Sequence, residues 1–189
     1  MAHVPNARVL TALEDWRAEI EDDRLLLPET TSTYAGPRRI PKKLRGLVES
    51  VGLPVIGLGS CRLVFEMDDM GQRLALKVGF TQMGLYANQH EFEISQDLEK
   101  EMCATVYAMD DAGLWLIQRF VAIPRHLPFR QFCDLKSWIK EHGYIHWDAV
   151  RKNFGLLPDG RLVMVDLESL WPMDKDLESF ANEPSRYLY

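Results

Sequence analysis

Two runs of alternating residue type constrain this chain more than any other feature. From Cys61 to Met67, Leu63, Phe65 and Met67 fall on one face and Arg62, Val64 and Glu66 on the other. From Gln72 to Phe80, Leu74, Leu76, Val78 and Phe80 alternate with Arg73, Ala75, Lys77 and Gly79. Successive side chains of a strand point to opposite faces, so a period of two predicts a pair of half-buried strands. Asp68-Asp69-Met70-Gly71 between them is turn chemistry and makes the pair an antiparallel hairpin. Val55-Ile56 reads as a strand entering a turn at Gly57-Leu58-Gly59-Ser60. Ala104–Met109 and Leu114–Phe120 read as another hairpin, across Asp110-Asp111-Ala112-Gly113. The expected result is a five-stranded antiparallel sheet.

Helical periods lie around these strands, so the fold class is α+β. Over residues 7–24, Val9, Leu13, Trp16 and Ile20 share one stripe, with Asn6 as N-cap. The acidic run Glu19, Glu21, Asp22, Asp23 reads as solvated surface. Leu27–Pro41, with its prolines and Thr/Ser cluster, reads as a linker. Pro41 opens a second helix carrying Leu44, Leu47, Val48 and Val51, closed by Gly52. Residues 86–102 carry Ala87, Ile94, Leu98 and Met102 at helical intervals. Phe132–His142 turns Leu135, Trp138 and Ile139 inward and ends at Gly143.

A net charge of −6 argues against nucleic acid as the default partner. The basic cluster Arg38, Arg39, Lys42, Lys43 and Arg45 reads as a solvated face, or else as a dock for an acidic partner, phosphate or nucleic acid. Cys61, Cys103 and Cys133 form no CxxC and no metal spacing, which suits reduced thiols. No apolar run approaches the about 20 residues a membrane span needs, and the N-terminus lacks a secretory pattern. A cytoplasmic protein without membrane contact is expected.

A second feature carries the chemistry. In 144–168, His146, Asp148, Asn153 and Asp166 are separated by an apparent hairpin. Phe154–Leu157 and Arg161–Val165 are its strands, and Pro158-Asp159-Gly160 is its turn. That hairpin brings Asn153 and Asp166 side by side, with Asp148 close to both. Three polar ends at one point suit a site for a metal ion and a hydroxyl. Taken singly, each residue also fits an ordinary loop acid or turn Asn.

Together these stretches resemble the protein-kinase-like superfamily. HWDAVRKNFG matches H-R-D-x-x-x-x-N except at Trp147, and Asp166-Leu167-Glu168 stands where D-F-G would be. Gly57-Leu58-Gly59-x-x-Arg62-x-Val64 resembles G-x-G-x-x-G-x-V, and Leu74-Ala75-Leu76-Lys77 resembles V-A-I-K. By itself the G-x-G turn reads as a plain hairpin. A Rossmann reading fails, because Arg62 holds the third glycine position and a strand follows.

The resemblance implies an N-lobe over 53–123, a five-stranded sheet with one helix, and a reduced C-lobe over 124–189. Residues 1–52 become an N-terminal helical extension and linker. ATP and Mg²⁺ are the implied cofactors. Gly57 and Gly59 would cover the phosphates, Lys77 would hold them, and Val64 and Ala75 would sandwich the adenine. Gln118-Arg119-Phe120-Val121 would be the hinge, putting Gln118 and Phe120 at the base edge. Asp148 would take or orient the proton of the attacking hydroxyl, Lys152 would neutralise the γ-phosphate, and Asn153 and Asp166 would hold Mg²⁺. His146 reads as a structural support. The Lys needs a Glu from the following helix, and Glu91 alone lies on the apolar stripe. Glu93 is the alternative partner, and an exposed acidic helix with no partner role is the third possibility.

Departures narrow the reading. Trp147 replaces the Arg that pairs with a phosphorylated activation loop. Glu168 makes the D-x-E segment more similar to small-molecule phosphotransferases. About twenty residues follow Glu168, so the activation segment, A-P-E and the large-lobe helices have no counterpart. A protein partner, a homodimer or the N-terminal 50 residues would replace that packing, and Trp171, Phe180, Tyr187 and Leu188 are candidate interface residues. The expected function is ATP- and Mg-dependent phosphate transfer to a hydroxyl acceptor, protein or small molecule. The alternatives are a catalytically silent nucleotide- or partner-binding regulator and, third, a nucleic-acid-associated protein using 38–45.

Overall fold

The alternating runs form adjacent antiparallel strands. β1 spans Val55–Leu58, β2 Arg62–Asp69, β3 Gln72–Gly79, β4 Val106–Met109 and β5 Trp115–Arg119. They make one five-stranded antiparallel sheet in the order β1-β2-β3-β5-β4. This is a computed structural model, and it describes residues 4–21, 40, 42–98 and 101–173. Outside the described residues lie the expected linker except Ile40, Asp22 and Asp23, Arg38 and Arg39, and Phe180, Tyr187 and Leu188. The side chains of Glu19, Ile20 and Glu21 lie outside them too. The described chain divides into two compact units, one running to Phe92 and including Val106–Phe120, the other comprising Glu93–Thr105 and the residues from Val121 on.

In the first unit, β3 pairs with β2 from Arg62↔Gly79 to Asp69↔Gln72 and with β5 from Leu74↔Arg119 to Val78↔Trp115. The β2–β3 turn is just Met70-Gly71, with φ of 51° and 80°. Both residues are left-handed, which is the hairpin geometry that favours Asn-Gly. Met70 is 88% exposed, so no burial offsets a conformation that costs an L-residue about 1–2 kcal/mol. Met70→Asn is therefore expected to raise the unfolding free energy by about 0.5–1 kcal/mol, read as a higher urea midpoint. A midpoint that stays or falls would contradict this account of the turn.

Leu63, Phe65, Met67, Leu74, Leu76 and Val78 make the core face of the sheet. Helix α1 (Ala7–Glu21) packs there through Val9, Ala12, Leu13 and Trp16. Asn6 caps it as expected, its Oδ1 accepting the Val9 N–H at 3.1 Å. The Trp16 indole donates to the Gly79 carbonyl at 3.3 Å, tying α1 to the end of β3. Helix α2 (Arg45–Val51) follows a 3-10 turn, Lys42–Leu44, and adds Leu44, Leu47 and Val51 to the same core. It ends at Gly52, φ 66°. The described helices of 1–52 thus share one core with the sheet and do not stand apart from it.

Helix α3 (Gln82–Asp97) starts four residues earlier than its apolar stripe predicts and ends sooner. Thr81 explains the start: its Oγ1 accepts the Gly84 N–H at 3.1 Å, an N-cap contact. A Cβ at Gly84 would lie 2.2 Å from the Cys61 carbonyl oxygen and 2.9 Å from Gly79 Cα. Only glycine lets the first turn of α3 approach β2 and β3 this closely.

The second unit is built on α4 (Phe129–Glu141), β6 (Tyr144–His146), β7 (Phe154–Leu156), β8 (Leu162–Met164) and β9 (Leu170–Pro172). α4 begins directly after Pro128, three residues before the predicted start. Its Leu135 and Ile139 pack with Ile94, Leu98, Phe154 and Met164. The predicted β7–β8 hairpin forms with Phe154↔Met164 and Leu156↔Leu162 in register and Gly160 at φ 85°. β6 pairs with β9, a strand that no pattern in the sequence predicts. Among the described residues, no helix is long and apolar enough to cross a membrane.

Candidate functional site

The first group of polar residues belongs to the first unit. Lys77 Nζ lies 2.6 Å from Glu91 Oε1, and Arg62 Nη1 lies 2.6 Å from Glu91 Oε2. Lys77 and Arg62 are each 5% exposed and Glu91 is 0% exposed. Strand parity places Lys77 in the sheet on the face it shares with Ala75, and the register sets Val64 opposite Lys77. Two turns beyond the Gly84 contact, α3 delivers Glu91 to that face. Glu93, the alternative partner, is exposed. Asn88, one turn before Glu91, accepts Arg62 Nη1 on its Oδ1 at 3.2 Å and donates to the Gly113 carbonyl at 2.8 Å.

The Glu91 carboxylate thus meets two cations in a nearly dry place. Charges removed from water this way persist only when paired and hydrogen-bonded, which this arrangement provides for Glu91 on both oxygens. Arg62 is the residue that motif matching misses, because the motif registers it only as an absent glycine. Its signal is the register: with Met70-Gly71 as the turn, Arg62 and Lys77 must share a face.

The remaining nucleotide-site candidates of this unit are placed as follows. Gly57 pairs with Val64, and a Cβ on it would lie 3.2 Å from Val64 Cβ. The Gly59 N–H donates to the Arg62 carbonyl at 2.8 Å, closing the turn between β1 and β2. β1 runs on through Gly57 and Leu58, which shortens the expected turn. Gln118 is buried opposite Ala75. The Phe120 N–H donates to the Arg73 carbonyl at 3.3 Å, and the Arg73 guanidinium sits 3.9 Å from its ring centroid. That N–H is taken up in the sheet, so a base edge would have to be read by other groups of 118–121.

The second group belongs to the second unit. The β7–β8 hairpin brings its two ends together, with the Val165 N–H donating to the Asn153 carbonyl at 2.9 Å. Both outer edges of the hairpin are held: Ala104 N–H donates to Met164 O at 2.7 Å and Leu156 N–H to Ala122 O at 2.9 Å. Buried Asn153 donates through Nδ2 to the Asp148 carbonyl at 2.7 Å and to Asp148 Oδ2 at 3.1 Å. Lys152 Nζ reaches the same Oδ2 at 3.2 Å from an exposed position. Asp166, half-buried, accepts the Glu168 N–H at 3.3 Å. Asp148, Lys152 and Asn153 are therefore in direct contact, and Asp166 is brought beside Asn153 through the backbone pairing.

His146, at the end of β6, stacks obliquely on Phe154 with ring centroids 5.5 Å apart. Neither ring nitrogen makes a hydrogen bond of normal geometry among the described residues. Burial pushes its pKa below the ordinary value of 6.5, against the opposing pull of the Asp166 carboxylate and backbone and of Asp148. The unfolded chain therefore accepts a proton near pH 6.5 that the folded chain refuses. Stability from this source is complete above that pH and is lost as the pH falls toward the depressed folded value. Wild-type protein should lose more of its urea midpoint between about pH 7.5 and 5.5 than His146→Phe does. Equal losses would remove His146 from the acid sensitivity.

No protein-family model matches the chain, and no curated protein matches it.

Proposed function

We propose that this chain is an ATP- and Mg²⁺-dependent phosphotransferase of the protein-kinase-like kind, moving a γ-phosphate to a hydroxyl acceptor. The observation that carries the reading is the buried Lys77–Glu91 pair at 2.6 Å. Lys77 is identified in the sequence by motif, and Glu91 is chosen among the glutamates of the following helix by its place on an apolar stripe. A strand lysine fixed by a helix glutamate is an oriented cation for phosphate, and orientation is most of what phosphoryl transfer asks of a protein.

In this reading Lys77 grips the phosphates, while Val64 and Ala75 flank the base. Asp148 orients the hydroxyl and takes its proton as the oxygen attacks the γ-phosphorus and the bond from that phosphorus to the bridging oxygen breaks, releasing ADP. Lys152 offsets charge on the transferring group. The donor set fits a magnesium ion: Asn153 Nδ2 is committed to Asp148, leaving Oδ1, a hard oxygen, and Asp166, next to the backbone pairing of Val165 with Asn153, offers a carboxylate. Among the described residues no cluster of three His, Cys, Asp or Glu forms a metal cage. A pair of oxygens completed by phosphate and water is the normal habit of this ion. When bound, Mg²⁺ would supply neutralisation of the phosphate oxygens. Cys61, Cys103 and Cys133 are in no disulfide, which fits a reducing compartment such as the cytoplasm.

A second reading is a silent nucleotide- or partner-binding regulator. It is favoured by Arg62, which places a bulky cation where the resemblance calls for a glycine. Thermal stabilisation by ATP with Mg²⁺ that disappears in Lys77→Ala, together with phosphate transfer abolished in Asp148→Asn, supports the enzyme. Stabilisation without turnover assigns the regulator, and no stabilisation by ATP sinks both nucleotide readings.

A further inference from the structure

We propose that Asn88 is the positioning residue of the Lys77–Glu91 pair, seating α3 on the sheet so that the pair is made before a nucleotide binds. The inference rests on the phosphotransferase reading and adds to it a permanent fix on the helix that carries Glu91.

Reach is the first argument. Asn88 lies near the middle of α3 and is 0% exposed. Its Nδ2 donates to the Gly113 carbonyl at 2.8 Å and lies 3.4 Å and 3.5 Å from the carbonyls of Leu114 and Lys77. Its Oδ1 accepts Arg62 Nη1 at 3.2 Å. One amide thus joins α3 to β2, to β3 and to the residues that lead into β5. It uses a donor and an acceptor together, which no apolar side chain of its size replaces.

Spacing is the second. Helix residues three apart share a face. Glu91 follows Asn88 by three, so amide and carboxylate leave α3 on the same side, about 4.5 Å apart along its axis. Holding one holds the other. Close packing is the third argument. Gly84 seats the first turn of α3 against Cys61 and Gly79. Gly113 has φ of 76°, and a Cβ on it would lie 2.5 Å from the Leu85 carbonyl oxygen and 2.8 Å from Gln89 Cγ. Approaches this close resist sliding of α3, and the Asn88 amide resists its lifting from the sheet.

The rival account makes Asn88 a buried amide that stabilises the fold and has no bearing on the pair. Amide hydrogen exchange and ATP kinetics on the whole chain separate the two. In wild-type protein the amides of 85–92 should exchange as slowly as those of β3, and Mg-ATP should slow them less than about twofold. Asn88→Leu keeps the volume and removes both polar ends. In that variant 85–92 should exchange about tenfold faster while β3 holds its rate, and Mg-ATP should restore most of the difference. Its KM for ATP should rise about tenfold with kcat lowered less than about twofold, because only molecules with α3 seated bind and saturating ATP collects them. Exchange that rises equally in α3 and β3 with KM unmoved overturns the inference. So does wild-type exchange of 85–92 that outpaces β3 and is slowed by Mg-ATP, a result that stands even if Asn88→Leu does not fold. Either result in a chain that turns over ATP removes the inference alone. A chain that neither binds nor turns over ATP loses the phosphotransferase reading, while selective loosening of 85–92 in Asn88→Leu still supports Asn88 as the anchor of Glu91.

Discussion

Glu91→Gln is expected to destabilise the first unit by roughly 3–5 kcal/mol, although glutamine matches glutamate in size. The substitution opens no cavity, so its cost isolates the charge. It takes from Arg62 and Lys77 the carboxylate that both contact at 2.6 Å. Removing either cation instead leaves Glu91 paired with the other, so Lys77→Met and Arg62→Met should each cost clearly less than Glu91→Gln. The ranking follows from one carboxylate being shared by two cations, while each single-cation variant gives up one of the two 2.6 Å hydrogen bonds. A domain's total stability is only about 5–15 kcal/mol, so the Glu91 variant should sit near the edge of unfolding. Urea denaturation of the three variants against wild type measures the order. A Glu91→Gln cost no greater than that of Lys77→Met would show that the carboxylate does not hold both cations.

Much of this arrangement is legible in the sequence. A period of two specifies which face Lys77 takes, and helical spacing distinguishes Glu91 from Glu93, since only one of them can lie among Ala87, Ile94 and Leu98. Asn6 and Gly52 announce helix ends because capping chemistry is local. The 154–164 hairpin is legible because a Pro-Asp-Gly turn separates two short apolar runs. What escapes is set by residues distant in sequence. Gly84 lowers helix propensity, so the pattern starts α3 too late; its tolerance there comes from packing against Cys61 and Gly79. β9 has three residues and ends in proline, too little for a strand signal, and exists by pairing with β6. Arg62 needs the exact residues of the β2–β3 turn, because a register shift of one residue moves a whole strand to the other face. The Phe120 N–H needs the pairing of its strand with Arg73, which no local pattern announces.

Asp148→Asn is expected to lower phosphate transfer by about 10²–10⁴-fold while leaving ATP affinity and the melting temperature near wild type. Asparagine keeps the shape of the side chain and leaves intact the backbone bonds that fix it, Asn153 Nδ2 to the Asp148 carbonyl and Val150 N–H to the same oxygen, each at 2.7 Å. The ion pair with Lys152, which the substitution removes, spans 3.2 Å between partly exposed groups and contributes little to stability. Beyond that pair, the substitution removes only the proton acceptor. Asn153→Ala should behave differently. It deletes the clamp on Asp148 together with the hard oxygen that the reading gives to magnesium, so turnover should fall and the Mg²⁺ concentration for half-maximal rate should rise. Steady-state rates at varied ATP and Mg²⁺ separate the two roles. Identical Mg²⁺ dependence in the two variants would reduce Asn153 to a positioning residue. Undiminished turnover in Asp148→Asn would remove Asp148 from the chemistry altogether.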